Sequence, residues 1–105
     1  MELTVKERVH AKAYLPLRGS IEEKKTKFDL IEKLKFTEEE TATLDYIEEN
    51  GRAQWQKDKE FISDIDLSDA EKQLIIKGLE ELSQAGVMDD ETYEMYLKFN
   101  KKEGN

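Results

Sequence analysis

Residues 67–88 read LSDAEKQLIIKGLEELSQAGVM, the longest and most apolar element the chain offers. Ser68 stands where its hydroxyl can accept from the amide three residues on, and Glu71 stands where its carboxylate can reach back, which makes a capping box. Leu74, Ile75, Leu79 and Leu82 then recur at helical spacing, and Ile76 widens the stripe. Gly86 follows the last turn, where a left-handed closing residue is least costly as glycine. This spacing predicts one long helix on which the other elements pack. Gly78 interrupts it, at a cost of about 1 kcal/mol relative to alanine. Its place beside the apolar stripe predicts close packing against another element, with close approach of a partner as the other reading.

The same capping signature precedes three shorter segments: Thr4 with Glu7, Ser20 with Glu23, and Thr37 with Glu40. The first opens a helix with a stripe of Val5, Val9, Ala13 and Tyr14, stopped before Pro16, whose ring disfavours helical geometry in the preceding residue. Leu15 and Leu17 flank the proline and are expected to plug the edge of the core. The second opens a helix to about Lys35, with Ile21, Phe28, Ile31 and Leu34 expected on one face and lysines and acids covering the others. The third opens a short helix whose Glu38, Glu39 and Glu40 sit where the helix dipole favours negative charge. Phe36, just before that cap, is expected to staple onto its first turn. Asp89 caps a last helix with an apolar face of Tyr93, Tyr96, Leu97, Met95 and Phe99. Tyr93 and Leu97 are expected in the core, Tyr96 and Phe99 toward a partner. The end, about residues 100–105, reads as frayed.

The pattern changes at about Leu44. Asn50-Gly51 is a strong short hairpin signal, because both residues tolerate positive φ. It predicts pairing of roughly residues 45–48 with 52–56, with Tyr46 and Trp55 as the aromatic members. Lys57-Asp58-Lys59 reads as a turn, and residues 61–66, FISDID, as a third strand. A sheet of two or three strands needs a helix beneath it, and the long helix is expected to supply one. The fold class is therefore α+β. Four to five helices surround a small two- or three-stranded antiparallel sheet, in a single domain over residues 1–105.

Composition bounds the function. The chain has 105 residues, 37% hydrophobic and 40% charged, and a formal net charge of −8. A chain of this size supports one small core. The acidic balance argues against direct nucleic-acid binding, whose affinity comes from Lys and Arg displacing counterions. It suits a basic protein partner, or simple solubility. No cysteine is present, which removes disulfides and cysteine-based metal sites. No apolar run approaches a membrane span, and the charged N-terminus does not read as a secretory signal. A cytoplasmic protein is expected.

The chemistry-bearing residues form no catalytic pattern. Asp64, Asp66 and Asp69 resemble the start of a calcium loop, but Asp69 occupies the position of the required glycine and Ile75 that of the bidentate glutamate. A strand end and a helix cap explain them. His10 is the only histidine and has no partner in sequence. The glycines are isolated, and no serine sits in a nucleophile-elbow pattern. No enzyme, cofactor or metal is expected.

LTVKERV…LPLRGS, KFTEEE…NGRAQW, KEFISDIDLSDAEKQLIIKGLEEL and QAGVMDDETYEMYLKF together resemble a group of small uncharacterised proteins of tailed bacteriophages and prophages. The resemblance spans nearly the whole chain. Its motifs are caps, turns and core positions, so they specify a fold and not a reaction. Val9-His10-Ala11 stands where that group has a leucine-rich run. That group has no established activity, so no functional residues carry over; taken with the acidic charge, the resemblance motivates the expectation of an accessory protein of the host cell cytoplasm that acts by protein–protein interaction. Its sharp form is inhibition of a host nucleic-acid-binding or defence protein. There Glu38, Glu39, Glu40, Asp64 and Asp66 would imitate phosphates toward a basic partner, and Tyr96 and Phe99 would supply aromatic contact. The alternative is a self-associating virion component.

Overall fold

The computed structural model describes residues 1–100; the frayed end expected over about residues 100–105 falls, but for Asn100, outside the described residues. The order is β1 (Glu2–Thr4), α1 (Val5–Ala13), α2 (Ile21–Leu34), α3 (Glu38–Leu44), β2 (Ile47–Glu49), β3 (Arg52–Gln54), a 3-10 turn (Lys57–Lys59), β4 (Ile62–Asp64), α4 (Asp69–Gln84) and α5 (Asp90–Asn100). Over the described residues the architecture is α+β, with five helices and two small antiparallel sheets.

All four capping boxes form. At α4, Ser68 Oγ accepts from the Glu71 amide at 3.1 Å, and Glu71 Oε1 accepts from the Ser68 amide at 2.8 Å. Thr4, Ser20 and Thr37 make the same reciprocal pairs with Glu7, Glu23 and Glu40. Asp89 and Thr92 exchange an equivalent pair at the start of α5. Each cap satisfies amides that the first helical turn leaves without partners, typically worth about 1 kcal/mol.

Helix α4 is the centre of the packing. Glu71, Leu74, Ile75, Ile76, Gly78 and Leu79 are buried, an arc wide enough to hold both α2 and α5. Gly86 closes it with φ of +72°. Gly78 is a close-packing glycine: a Cβ there would fall 2.0 Å from the Tyr14 carbonyl oxygen. The end of α1 thus lies directly on the backbone of α4, and the glycine needs no external partner to explain it. Around α4 the core collects Leu3, Ala11, Leu15, Leu30, Leu34, Met95 and Phe99.

The strands depart from expectation. Residues 62–64 do not extend the hairpin. They pair with the N-terminal strand, Leu3 opposite Ser63. Thr4 reads as a cap, and a three-residue strand ending in a cap gives no alternation to detect. The hairpin forms on its own, with Ile47 opposite Gln54 and Glu49 opposite Arg52. Asn50 and Gly51 both have positive φ, as the tight turn requires. Helix α4 does not back it. Instead, side chains tie it to α1 and the α2–α3 corner. The Arg8 guanidinium lies 4.3 Å above the Phe36 ring, Phe36 meets Tyr46 at 5.0 Å, and Tyr46 stacks on Trp55 at 6.3 Å. Lys57 Nζ closes the column 3.3 Å from the Trp55 ring. Phe36, expected to staple α3, is a member of this column.

Three apolar faces also differ. In α1 the buried residues are Val5, Arg8 and Ala11, while Ala13 is exposed and Val9 half-buried. Arg8 enters the core because Glu40 Oε2 lies 3.0 Å away and the Lys35 carbonyl 2.9 Å away. In α2, Leu30 and Leu34 are buried, and Ile21 and Phe28 point to solvent. Leu17 is exposed too, whereas Leu15 is buried. In α5 the expectation is reversed. Met95 and Phe99 are core, Tyr93 and Leu97 are about half exposed, and Phe99 at 3% exposure faces no partner. Two threonine bonds at the α5 cap fix Thr92 inward, and Met95 and Phe99 follow at helical spacing on the same side.

Candidate interaction surfaces

The seven residues expected to meet a partner do not form one site. Glu38 and Glu39 are exposed on the first turn of α3. Glu40 is committed internally to Arg8 and to the Thr37 amide. Burial raises its pKa, but the hydrogen bonds from Arg8 and Thr37 outweigh this and hold the carboxyl below its ordinary value. Asp64 accepts from the Met1 amino group at 2.8 Å. Strand alternation places it on the opposite side of β4 from Ser63, whose hydroxyl lies 3.4 Å from Arg8. Asp66 is exposed, and its carbonyl receives Lys33 at 2.8 Å. Tyr96 is half-buried against the core, and Phe99 is inside it.

A different surface emerges from α2. Ile21 is 91% exposed, Leu17 83% and Phe28 66%. Ile21 and Phe28 are seven residues apart, two helical turns, and so share one face. The backbone at Leu17 is tied to the same helix, since Lys24 donates to its carbonyl and Lys27 donates to the Pro16 carbonyl at 2.9 Å. The buried Leu30 and Leu34 occupy the opposite side of the helix. Two ion pairs fix that rotation: Lys33 with Glu71 and Lys77 with Glu23, each at 2.7 Å across the α2–α4 junction. At Glu71 burial raises the carboxyl pKa, and the bonds from Lys33 and Ser68 overcome this to lower it. Lys77 and the Ser20 amide hold Glu23 down at about 2.

The α2 face has its own charge. Residues 18–35 carry six cations against four acids, in a chain of net charge −8. Lys24, Lys25 and Lys35 border Ile21 and Phe28, with Glu32 4.0 Å from Lys35. Helix α5 carries the counterpart. Tyr93 and Leu97, one turn apart, are exposed beside Asp90 and Glu94, which are also exposed. The other charges of α5 are used in anchoring it, Glu91 with Lys6 and Lys98 with Glu7.

The clefts are less distinctive. One of about 380 Å³ lies between α1, the α2–α3 corner and the hairpin, with Arg8, Lys12, Phe36, Tyr46 and Glu48 among its walls. The terminal nitrogens of Arg8 are already engaged there, and Lys12 faces Glu48 at 4.0 Å. His10 lines an open groove between α1 and α5, where Glu7 and Glu91 are neutralised by Lys98 and Lys6. Its ring meets Tyr14 edge-on at 5.8 Å. Among the described residues no group of three or more acids and histidines could hold a metal ion, and no helix is long and apolar enough to cross a membrane.

Sequence alone pointed to the acids and missed Leu17, Ile21 and Phe28. The available signal was the split pattern of α2, which has apolar residues on two opposite sides and lysines clustered on one of them. No protein-family model matches the chain, and no curated protein or solved structure matches it either.

Proposed function

We propose that this chain acts by protein–protein interaction, as a small accessory protein of the kind the phage resemblance implies. The lysine-rimmed apolar face of α2 carries the reading. Ile21 and Phe28 stand exposed on one helix face, and the exposed Leu17 is tied to the same helix by the Lys24 bond to its carbonyl. Contiguous exposed apolar groups with a polar rim are characteristic of interaction sites. The complementary partner surface is apolar and acidic. In one form the partner is a host protein, and inhibition of a nucleic-acid-binding or defence protein is the outcome. A basic host protein would instead be met by Glu38 and Glu39, which remain exposed. In the second form the chain self-associates as a virion component, and the exposed, acid-bordered face of α5 favours that form.

The test is a tagged pull-down from nuclease-treated bacterial lysate, using the native chain and the Ile21→Glu/Phe28→Glu double variant. We expect one stoichiometric protein with the native chain and its loss with the variant. Equal capture by both would remove α2 from the interface. Loss only on charge reversal at Glu38 and Glu39 would move the contact to α3.

A further inference from the structure

Resting on the reading of α2 as a docking face, we propose that its occupant is helix α5 of a second copy of this chain, in a head-to-tail contact. The two faces match in kind. On α2, Ile21 and Phe28 are bordered by Lys24, Lys25 and Lys35. On α5, Tyr93 and Leu97 are bordered by Asp90 and Glu94. Both are helix faces of about two turns, which suits ridge-into-groove packing. The ion pairs that join one helix to another lie outside this set, although Lys24 donates to the Leu17 carbonyl and Lys35 lies 4.0 Å from Glu32. Lys33 and Lys77 join α2 to α4, and Lys6 and Lys98 join α1 to α5, but Lys25, Asp90 and Glu94 enter no ion pair among the described residues.

The placement of the two helices dictates the type of assembly. Both bury their inner faces, and both pack on α4 without substantial packing on each other. One chain therefore cannot close its own α5 face onto its own α2 face, yet it can offer each to a different neighbour. A contact between unlike faces propagates, giving a ring if the rotation closes and a filament if it does not. The charge pattern also disfavours the symmetric alternatives. Two α2 faces would oppose lysines, and two α5 faces would oppose carboxylates. Opposite charges across the contact set its register more than its strength, so its salt dependence is part of the signature.

The experiment is sedimentation velocity on the full chain over a micromolar-to-millimolar range, at low and high salt. The native chain should show a mass that rises with concentration beyond a dimer and falls as salt is added. Lys25→Glu/Lys35→Glu should lose this assembly, and so should Asp90→Lys/Glu94→Lys. An equimolar mixture of the two variants should regain it, because each then supplies the complement of the other. That regain also establishes that both variants are folded, and Glu94→Lys alone gives a milder version that leaves the first turn of α5 intact. A native chain that stays monomeric at millimolar concentration would overturn the proposal. So would a closed dimer, assembly insensitive to either reversal, or variants that fail to regain assembly when mixed. A monomeric native chain whose host-protein capture is still lost with Ile21→Glu/Phe28→Glu would sink the second-copy occupant and leave the docking face standing.

Discussion

Helices α2 and α4 each contain five large apolar residues, and the chain uses them in opposite ways. In α4, Leu74, Ile75, Ile76, Leu79 and Leu82 fall in one broad arc, and four of the five are buried with Leu82 packed at the margin. In α2, Leu30 and Leu34 are buried and Ile31 half-buried, while Ile21 and Phe28 stand on the far side in solvent. The difference is one of geometry and not of hydrophobicity. A single arc can be satisfied by one core. Two opposed stripes cannot, so a helix that carries both exposes one of them.

The largest effect should come from Gly78→Ala, at the point where α4 meets α1. The new methyl would need the Tyr14 backbone to move, because the carbonyl oxygen is 2.0 Å from the Cβ position. Overpacking of this kind costs ~3 kcal/mol or more, well above the ~1 kcal/mol that alanine gains in helix propensity. Chemical denaturation would measure it, and a stabilised variant would mean that α1 does not lie on α4.

Next comes Leu30→Ala, set beside Leu79→Ala. Both side chains are fully buried, so each should lose ~3 kcal/mol, within the 2–5 kcal/mol range for such truncations. Comparable losses would place α2 and α4 in one core. A loss at Leu79 alone would mean that α2 is bound far more loosely than its burial indicates.

Acid should weaken the α2–α4 junction selectively. Glu23 and Glu71 both have carboxyl pKa values below the ordinary 4.5, and Glu23 is lowered to about 2. A depressed folded-state pKa means that the stabilisation is complete above the unfolded value and is lost as pH falls through the folded one. Stability should therefore decline below pH 4.5 toward about 2. The Glu23→Gln/Glu71→Gln variant should be less stable at neutral pH and show a flatter decline. An unchanged slope in thermal melts would show that these pairs do not hold the junction.

The smallest effect should come from Ile21→Ser and Phe28→Ser. Exposed substitutions usually fall within ~0.5 kcal/mol of neutral. A loss comparable with that of Leu30→Ala would mean that the outer stripe of α2 is covered even in the isolated chain.

Local signals were legible wherever the interaction is local. Every capping box joins residues three apart, and the Asn50-Gly51 turn needs only the φ tolerance of its own two residues. The long helix and its closing glycine were readable for the same reason; at Gly78 the close packing was legible from its place beside the apolar stripe, but its distant neighbour Tyr14 was not. The strand pairing was not. Leu3 and Ser63 meet across 60 residues of chain, and three-residue strands carry too little alternation to announce themselves. Arg8 reads as a surface residue of α1 until Glu40 and the Lys35 carbonyl arrive from elsewhere to engage its terminal nitrogens.

The candidate site divides in the same way. Acidic clusters stand out in sequence because charge runs are visible, but Glu40 and Asp64 turn out to be bound to Arg8 and to the Met1 amino group. The exposed stripes of α2 and α5 were hidden, since an isoleucine or a tyrosine at helical spacing reads as core whichever side it occupies. Sequence by itself determined the helices, their ends, the hairpin turn and the acidic balance, because those depend on neighbours within one turn. Only the tertiary structure decided which stripe of α2 and α5 goes inside, since the rotation of a helix is set by what packs and pairs across it. That choice left Leu17, Ile21, Phe28, Tyr93 and Leu97 on the surface.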